Sequence, residues 1–559
     1  MAISSIVKSS QSDEDGLTVK RTWKRVAITI VGGLGLILVG AGVFMAVQWP
    51  KASLVSSPDS LARLNLTGAT QRVSGVSVTV DNKSIPYVMT DGAIRPAVKL
   101  AVSTPTTVVV SLQRPSWIAW LAGKTEVIHQ TVVTPNATLL DPVVFGSSSK
   151  PVLCYFSKPV RTVSVTGTDG TRVYHLAPAT SAVSLLQVVG NSRAGILMVS
   201  ASPDSWEKLP ASSRLTYFQV SNTSPAAVIS PAPTNLSPST PITITLSQPI
   251  ATIFGSKLPT ITPVIKGANP IEGSWVKTTP YTLTYRPSAP DFWPSEQFTM
   301  TLPTPTALAL QGGTLANPST TVALQGASPS IMRLQQLLAQ LNYLPLNWTP
   351  APGTEPITGS AALAQSVLAP PSGSFGWRWQ MPANLTSLWQ AGSDNVITQG
   401  AVMSFEQFNH LDSNGLANPL LWPTLISDVA TATVDPHPYA WIEVLKQRSE
   451  TLNLYVNGSI VLSSLTNTGI PGLTTTDGTY PIYLRLAQSY MSGTNPDGTH
   501  YHDLVYWTNY FLGSEAVHGF YRAGYGYPQS LGCVELPISN AAVVFPQVHI
   551  GTLVTVVPQ

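Results

Sequence analysis

Charged residues are scarce in this sequence. Asp, Glu, Lys and Arg make up 10% of its 559 residues, whereas about a quarter is usual in soluble domains. The 30 basic and 27 acidic side chains leave a formal net charge of +3, and no basic stripe with interleaved aromatic residues stands out. This composition argues against a nucleic-acid partner. A surface poor in carboxylates also loses little stability in acid, because few paired carboxylates must be protonated, so an acidic habitat is one expectation.

Cysteine is almost absent, and the two that occur are far apart in the chain. A pair of cysteines in an exported protein would ordinarily indicate a disulfide. Here Cys154 stands in the apolar run Val152–Phe156, whereas Cys533 follows a glycine in a segment that reads as a different domain. We therefore predict that the two are not bonded to each other. Cys154 is expected to be a buried core thiol.

One long apolar run, Val26–Val47, carries no charge. At about 1.5 Å per residue, a helix of this length crosses a hydrocarbon core about 30 Å thick. We predict a single-pass membrane helix at 26–47, with residues 1–25 as a cytoplasmic tail and everything after Trp49 outside the cell membrane, facing the wall. A cleaved signal peptide is the alternative. The basic residues that set this orientation are Lys20, Arg21, Lys24 and Arg25.

Residues 51–325 are rich in short β-branched segments separated by glycine, proline, asparagine and aspartate, and the whole chain has 48 prolines and 40 glycines. Val73–Val80 and Thr106–Leu112 alternate partly between apolar and polar positions, as half-buried strands do. Such short strands at regular spacing predict a mainly β protein built from sandwiches. The Pro/Ser-rich Thr223–Pro241 is expected to be a linker.

A faint repeat supports more than one sandwich. Pro151–Val160 and Pro241–Ile250 both begin with proline, continue as a strand-like stretch and end in Ser-x-Pro-aliphatic. The pattern resembles that of bacterial immunoglobulin-like domains on exported proteins. We expect β-sandwich-like domains at 60–145 and 146–226 and an immunoglobulin-like domain at 235–325.

From Ser330 onward the apolar residues fall at helical spacing. Ile331–Leu341 has apolar side chains at 331, 334, 337, 338 and 341, which form one stripe of a helix. A second helix is expected at Ile397–Phe408. The Leu-Gln-x-x-Leu motif of the first helix and the Ala-Val-x-x-Phe motif of the second resemble a small helical peptidoglycan-binding module with an insertion, which we place at 328–430. The aliphatic stripe itself is expected to form core.

The sharpest chemical signal is His518-Gly519 followed by Ser-Leu-Gly-Cys at 530–533. A thiol with its ordinary pKa of about 8.5 is mostly protonated at neutral pH, so it needs a nearby base to act as a nucleophile. The stretch 521–529 is rich in Gly, Tyr and Pro and suits a loop that returns beside His518. Gly532 permits close approach of the backbone to a substrate, and nearby N–H groups are candidates for an oxyanion hole.

Two further motifs precede this pair: Asp-Gly-Thr-Tyr at 477–480, and Met-Ser-Gly-Thr at 491–494, which is expected to be a loop. Together these motifs resemble the L,D-transpeptidase (YkuD-type) family. We place the catalytic domain at 437–559. The resemblance implies a β-sandwich-like domain that acts on peptidoglycan stem peptides. It implies that Cys533 attacks the peptide bond before a terminal D-alanine and forms a thioester, with His518 as the base. An amine of a second stem then resolves the thioester. The implied reaction needs no metal and no cofactor. The residues implied to line the site are Gly519, Ser530, Leu531, Gly532 and Glu535.

Two positions depart from the family pattern. Leu531 stands where histidine is usual, and Glu535 stands where arginine or asparagine is usual. In an extended segment Cys533 and Glu535 face the same side, so this carboxylate would disfavour the thiolate and repel a substrate carboxylate. Two other functions therefore stay open: a wall-binding scaffold with a degenerate site, and a peptidase in which water replaces the amine. A metal pair at His500 and His502 is disfavoured, because no third ligand stands out.

Overall fold

The computed structural model describes residues 42–57, 59–146, 152–184, 193–219, 225–268, 270–310, 312–313 and 315–558. These residues are mainly β, as the sequence predicts. They form two compact units. The first ends at Phe218, and the second runs from Gln219 onward and includes Asn191–Gly195.

The predicted cytoplasmic tail and most of the predicted membrane helix lie outside the described residues. Residues 42–48 are described and form a short helix before the first strand. Within the described part of the chain, no helix is long and apolar enough to cross a membrane. The membrane anchor therefore stays a prediction.

The first unit begins with two antiparallel four-stranded sheets that pack face to face. One has the order β1-β2-β6-β5 and consists of β1 (Lys51–Ser57), β2 (Ser60–Thr67), β5 (Tyr87–Thr90) and β6 (Ala93–Pro96). The other has the order β4-β3-β7-β8 and consists of β3 (Arg72–Val80), β4 (Lys83–Ser84), β7 (Pro105–Gln113) and β8 (Thr125–Val133), with helix α1 (Ser116–Ala122) between β7 and β8. Buried side chains of both sheets, such as Leu61, Ile94 and Val108, form one core. The two strands predicted from alternation are therefore confirmed as β3 and β7, which pair with each other.

A further sheet of the first unit has the strand order β11-β10-β12-β13-β9. Its strands are β9 (Val143–Gly146), β10 (Leu153–Gly167), β11 (Gly170–Ser184), β12 (Ala194–Ser202) and β13 (Ser213–Gln219). Cys154 lies on β10 in the core of this sheet, fully buried and not in a disulfide. Burial raises the pKa of the Cys154 thiol to about 11. The prediction of a buried core thiol is confirmed.

The second unit begins with a sandwich. Its first strand lies within Thr223–Pro241, so the prediction that this whole segment is a linker is wrong. β14 (Ala226–Ser230) pairs parallel to β19 (Gln297–Leu310) and antiparallel to β15 (Ile242–Leu246). The run Ala-Ala-Val-Ile at 226–229 is buried, and it joins the core because its apolar surface outweighs the turn-forming residues on either side. The remaining elements of the sandwich are helix α2 (Ile250–Ile253), β16 (Thr260–Pro263), β17 (Ser274–Thr279), β18 (Thr282–Arg286) and β21 (Ser319–Gln325). The short strand β20 (Gly312–Gly313) pairs instead with Ala194 and Gly195 of β12.

Glu296, just before β19, gives this sandwich a pH-dependent stability. The side chain is buried, and within the described residues its Oε1 has no hydrogen-bond partner. Burial raises the pKa of this carboxyl from 4.5 to about 7. The folded state binds the proton more tightly than the unfolded chain does. The contribution of this proton to the free energy of unfolding is therefore fully present below pH 4.5, and it is lost as the pH rises through about 7.

We expect Glu296→Gln to raise the free energy of unfolding of this sandwich by roughly 2–3 kcal/mol near pH 8 and to change it little near pH 4. The amide is neutral at both values, whereas the buried carboxylate is charged at the higher one. Urea unfolding, with hydrogen exchange of β19 to identify the transition, measures the change. Glu272→Gln, at an exposed position of the same sandwich, is the control. An equal gain at both pH values would contradict the expectation.

The helical segment follows the sandwich and confirms the first predicted helix. Helix α3 (Ile331–Gln340) starts at Ser330, whose hydroxyl accepts the Arg333 N–H, and its aliphatic stripe is buried. The core around it continues to Trp441 and Leu553 of the C-terminal domain. The other elements are β22 (Leu346–Pro350), helix α4 (Ser360–Ser366), β23 (Gly373–Trp377) and helices α5 (Ala383–Thr386), α6 (Val396–Phe408) and α7 (Leu421–Thr431).

The C-terminal domain consists of two sheets around one apolar core, to which Ile442, Val517 and Val534 belong. The five-stranded sheet has the order β26-β25-β24-β32-β27 and consists of β24 (Ala440–Leu445), β25 (Thr451–Val456), β26 (Ser459–Leu465), β27 (Gly478–Pro481) and β32 (Leu553–Val557). The four-stranded sheet has the order β28-β29-β30-β31 and consists of β28 (Leu484–Thr494), β29 (His500–Leu512), β30 (Glu515–Gly519) and β31 (Val534–Leu536). Helix α8 (Ile538–Val544) and a 3-10 turn (Phe545–Gln547) follow β31.

Local sequence signals of this domain are confirmed. Asn457 and Gly458 both have positive φ and form the turn between β25 and β26, as expected for an Asn-Gly hairpin. β30 and β31 pair in parallel, so that His518 lies directly opposite Glu535. The segment between them therefore returns beside His518, as its length and composition predict.

Candidate active site

A cavity of about 720 Å³ opens on the four-stranded sheet of the C-terminal domain. The two predicted catalytic residues, Cys533 and His518, both line it. His518 comes from β30, and Cys533 comes from the turn immediately before β31. Because these strands are neighbours, two residues separated by a loop in sequence reach the same wall. Four of the predicted lining residues are also there: Ser530, Leu531, Gly532 and Glu535.

The Cys533 thiol is half-buried and is held between two elements. It points toward the carbonyl oxygen of Ser514 at 3.7 Å and contacts Sδ of Met491 at 3.9 Å. Burial, together with the charges of Glu535 and Glu515, raises the pKa of this thiol to about 12. The resting thiol is therefore protonated at neutral pH and needs a base during attack.

The His518 side chain is buried, and its Nδ1 has no hydrogen-bond partner among the described residues. Burial lowers the pKa of the imidazole, while the carboxylate of Glu535 on the neighbouring strand acts in the opposite direction. A neutral imidazole with an unpaired nitrogen at a cavity wall is able to accept a proton. In the described part of the chain no hydrogen bond joins it to Cys533.

The turn before Cys533 is closed by Ser530. Its hydroxyl donates to the Cys533 carbonyl oxygen at 2.6 Å and accepts the Gly532 N–H at 3.2 Å. Gly532 has φ of 120°, a conformation that other residues rarely adopt. Ser530 and Gly532 therefore shape the turn that presents the thiol. Leu531 lies half-buried on the cavity wall.

Gly519 is placed differently from its expected position, because it is not among the cavity-lining residues. A Cβ at this position would lie 3.0 Å from Cβ of Ala541 and 3.0 Å from Cα of Ile538. The glycine thus allows α8 to pack closely on β30 behind the site. Its proximity to His518 in sequence does not bring it to the cavity, because successive residues of a strand point to opposite faces.

The unusual Glu535 forms an ion pair that the sequence interpretation missed. Its carboxylate accepts two hydrogen bonds from the guanidinium of Arg522, at 2.8 and 2.7 Å, and both side chains line the cavity. This hydrogen bonding raises the pKa of Arg522. The adjacent cation offsets part of the negative charge that was expected to repel a substrate carboxylate, whereas the expected effect on the thiol is seen, because Glu535 raises the pKa of Cys533. One signal was present: Arg522 is the only charged residue between His518 and Cys533.

The hairpin of β28 and β29 forms the opposite wall of the cavity. Residues 491–494, expected to be a loop, continue β28, because they pair with β29 up to Thr494. His500 and His502 line the cavity, but each is hydrogen-bonded to the facing strand of the hairpin. Their Nδ1 atoms lie 3.1 and 2.6 Å from the hydroxyls of Thr494 and Ser492 on the facing strand.

Glu515 and Asp503 are acidic residues of the cavity that could orient a histidine, but Glu515 binds another segment. Its carboxylate accepts hydrogen bonds from the backbone N–H and the hydroxyl of Thr476, at 3.0 and 2.6 Å. It thereby connects β30 to the segment before β27. Asp503, the other acidic candidate, lines the cavity on β29.

Comparison with known proteins agrees with the motifs of this domain. Residues 439–556 match the model of the YkuD family, described as the L,D-transpeptidase catalytic domain. No curated protein matches the chain.

Several solved structures are similar to parts of the chain. The catalytic domain of an E. faecium L,D-transpeptidase acylated by ertapenem is 25% identical over 22% of this chain and 98% of that chain, with a TM-score of 0.20. An L,D-transpeptidase from Mycobacterium smegmatis is 11% identical over 60% of this chain and 100% of that chain, with a TM-score of 0.20. One from Mycobacterium tuberculosis is 11% identical over 60% and 98%, with a TM-score of 0.19.

Proposed function

We propose that this protein, whose residues 439–556 form a YkuD L,D-transpeptidase catalytic domain, is a membrane-anchored enzyme that cross-links peptidoglycan stem peptides through a thioester on Cys533. The observation that carries the proposal is that Cys533 and His518 line one cavity, and that Nδ1 of His518 has no hydrogen-bond partner among the described residues. The anchor at 26–47 would hold the catalytic domain outside the cell membrane, and the β-sandwiches would act as spacers toward the wall.

The first step is acylation of the protein. The Cys533 Sγ attacks the carbonyl carbon of the peptide bond before a terminal D-alanine, and its proton passes to His518. Because burial keeps both groups neutral at rest, proton transfer accompanies attack rather than preceding it. The tetrahedral intermediate collapses to a thioester, and His518 returns the proton to the leaving amine of the D-alanine.

The second step transfers the acyl group. An amine of another stem peptide attacks the thioester carbon, His518 takes the proton of that amine, and the thiol is released with this proton. The Glu535 carboxylate beside His518 favours the imidazolium that forms in both steps. Arg522 lines the cavity next to Glu535, where its guanidinium is suited to a substrate carboxylate.

The proposal is tested by incubating the full chain with tetrapeptide stems and measuring its mass. We expect an adduct of the tripeptide acyl group on the wild-type chain and on Cys154→Ala, and complete loss of the adduct in Cys533→Ala. Cys154→Ala is the matched control because it removes the only other thiol. If the folded wild-type protein formed no adduct in acid or at neutral pH, the enzymatic proposal would fail. The wall-binding scaffold would then remain as the function.

Product analysis with an acceptor amine then separates two enzymatic outcomes. A cross-linked dimer of stems would support transpeptidation. Release of the tripeptide alone, with the amine present, would instead identify a peptidase that uses water. Retention on purified sacculi would accompany all of these outcomes and so does not discriminate between them.

A further inference from the structure

A short apolar helix projects from one end of the two four-stranded sheets that begin the first unit, called here the first sandwich. Helix α1 connects β7 to β8, and of its side chains only Ile118 is buried. Trp120 is 78% exposed, and Trp117 and Leu121 are exposed beside it. Single apolar residues on a surface are ordinary, but contiguous large ones mark an interaction surface.

Two side-chain donors at this helix are paired with its own carbonyl oxygens. The indole N–H of Trp120 donates to the carbonyl oxygen of Trp117 at 2.7 Å. At the C-terminal end, the guanidinium of Arg114 donates to the carbonyl oxygen of Ala122. Because an unpaired polar group is unfavourable in an apolar medium, such pairing suits a helix that lies in one.

The helix at 42–48 extends the same surface. The ring of Phe44 lies 6.5 Å from the ring of Trp117, measured between centroids. The Gln48 carbonyl oxygen accepts the Ala69 N–H at 3.0 Å, which attaches the end of this helix to the sandwich just after β2. The two helices thus form one exposed patch, called here the apolar patch, which consists of Val43, Phe44, Val47, Trp117, Trp120 and Leu121.

We infer that the apolar patch lies in the interfacial region of a lipid bilayer, so that the first sandwich rests on the membrane beside its anchor. The inference depends on the proposed anchor, because the uncharged run Val26–Val47 ends inside the patch. That continuity favours lipid over a protein partner, since residues 42–48 are then the outer end of a helix that leaves the bilayer near Val47. Tryptophan is enriched at this depth of a membrane.

The consequence is a fixed orientation of the first sandwich. Two attachments, the helix at 42–48 and α1, would contact the same membrane surface, so the sandwich could not tilt freely about its anchor. Exposed Lys51 and Lys124 follow the two helices closely in sequence, in place to meet anionic headgroups. Val133, at the other end of β8, would then be up to about 26 Å farther from the membrane, because a strand rises about 3.3 Å per residue.

The test uses an environment-sensitive fluorophore on single cysteines of the full chain in phosphatidylcholine–phosphatidylglycerol vesicles. Leu121→Cys probes the patch, and Val133→Cys is the matched control, because both side chains are more than half exposed. Both are made in a Cys533→Ala background, and Cys154 is fully buried. At 121 we expect a blue-shifted emission that nitroxide lipids of shallow depth reduce by about half or more. At 133 we expect emission as in water and no effect of these lipids.

Flotation of the same vesicles separates the two proposals. Protein that floats with the vesicles but emits as in water at 121 would overturn the inference and leave the anchor standing. Protein that stays in solution would overturn both. A blue shift at 121 that grows with the protein-to-lipid ratio and resists nitroxide lipids would also overturn the inference, because a second copy of the chain would then cover the patch.

Discussion

Replacing His518 by glutamine is expected to slow acylation of Cys533 by about 10²–10⁴-fold, the usual contribution of a general base. The Cys533 thiol is protonated at rest, because burial and two carboxylates raise its pKa to about 12, so the reaction depends on a group that takes the proton. Glutamine fills a similar volume but accepts a proton far less readily. The rate of adduct formation, followed by mass spectrometry at saturating stem peptide, measures the change.

The matched control for this prediction is His502→Gln. His502 lines the same cavity, but its Nδ1 is bonded to the hydroxyl of Ser492 on the facing strand. Acylation in this variant should stay near the wild-type rate. If both variants slowed equally, the effect would come from a general change in the cavity, and His518 would lose its assignment as the base.

The pH profile of wild-type acylation provides a second readout. Burial lowers the pKa of His518 from its ordinary 6.5, so the neutral, proton-accepting form persists below that value. We expect the acylation rate to stay constant down to a pH below 6.5 and to fall only with further acidification. A rate that instead climbs steadily through the alkaline range would indicate attack by a preformed thiolate, with no role for His518 as base.

Replacing Arg522 by methionine is expected to destabilise the C-terminal domain by about 3 kcal/mol at neutral pH, the low end of the range for removing the partner of a buried charge, because Arg522 itself is partly exposed. Glu535 is only 4% exposed, and both of its oxygens accept hydrogen bonds from Arg522. Without the guanidinium, the carboxylate is left buried and unpaired. Urea unfolding monitored by hydrogen exchange of β31 gives the free energy.

A double variant distinguishes the broken ion pair from lost packing. Arg522→Met combined with Glu535→Leu removes both charges and keeps apolar groups of similar size. Because an ion pair replaced by apolar residues is often neutral in stability, the double variant should recover most of the loss. If it were as unstable as Arg522→Met alone, the destabilisation would arise from packing of the methylene groups rather than from the charge of Glu535.

Several local features were predictable because they depend on neighbours along the chain. The turn at Asn457-Gly458, helix α3 and the burial of Cys154 each follow from a short pattern of residue types. The strand at Ala226–Ser230 was missed for the opposite reason. Its flanks carry linker composition, and only pairing with β15 and β19 on either side makes its four apolar residues part of a core.

The candidate site shows the same division. The sequence by itself determined the candidate pair, because Cys533 and His518 stand in recognisable motifs joined by a loop of suitable composition. Only the tertiary structure decided what surrounds them. Strand pairing buries His518 opposite Glu535 and lets Arg522 form an ion pair with that carboxylate.

The physical reason is that pKa values and ion pairs depend on distance and burial, which pairing of distant strands creates. Read along the chain, Glu535 was a charge that opposed the proposed chemistry. In the folded domain it is half of an ion pair, and its charge favours the protonated imidazole of His518 while it still disfavours the Cys533 thiolate. The motifs identify Cys533 and His518 as candidates, whereas the fold decides which charged side chains lie near them.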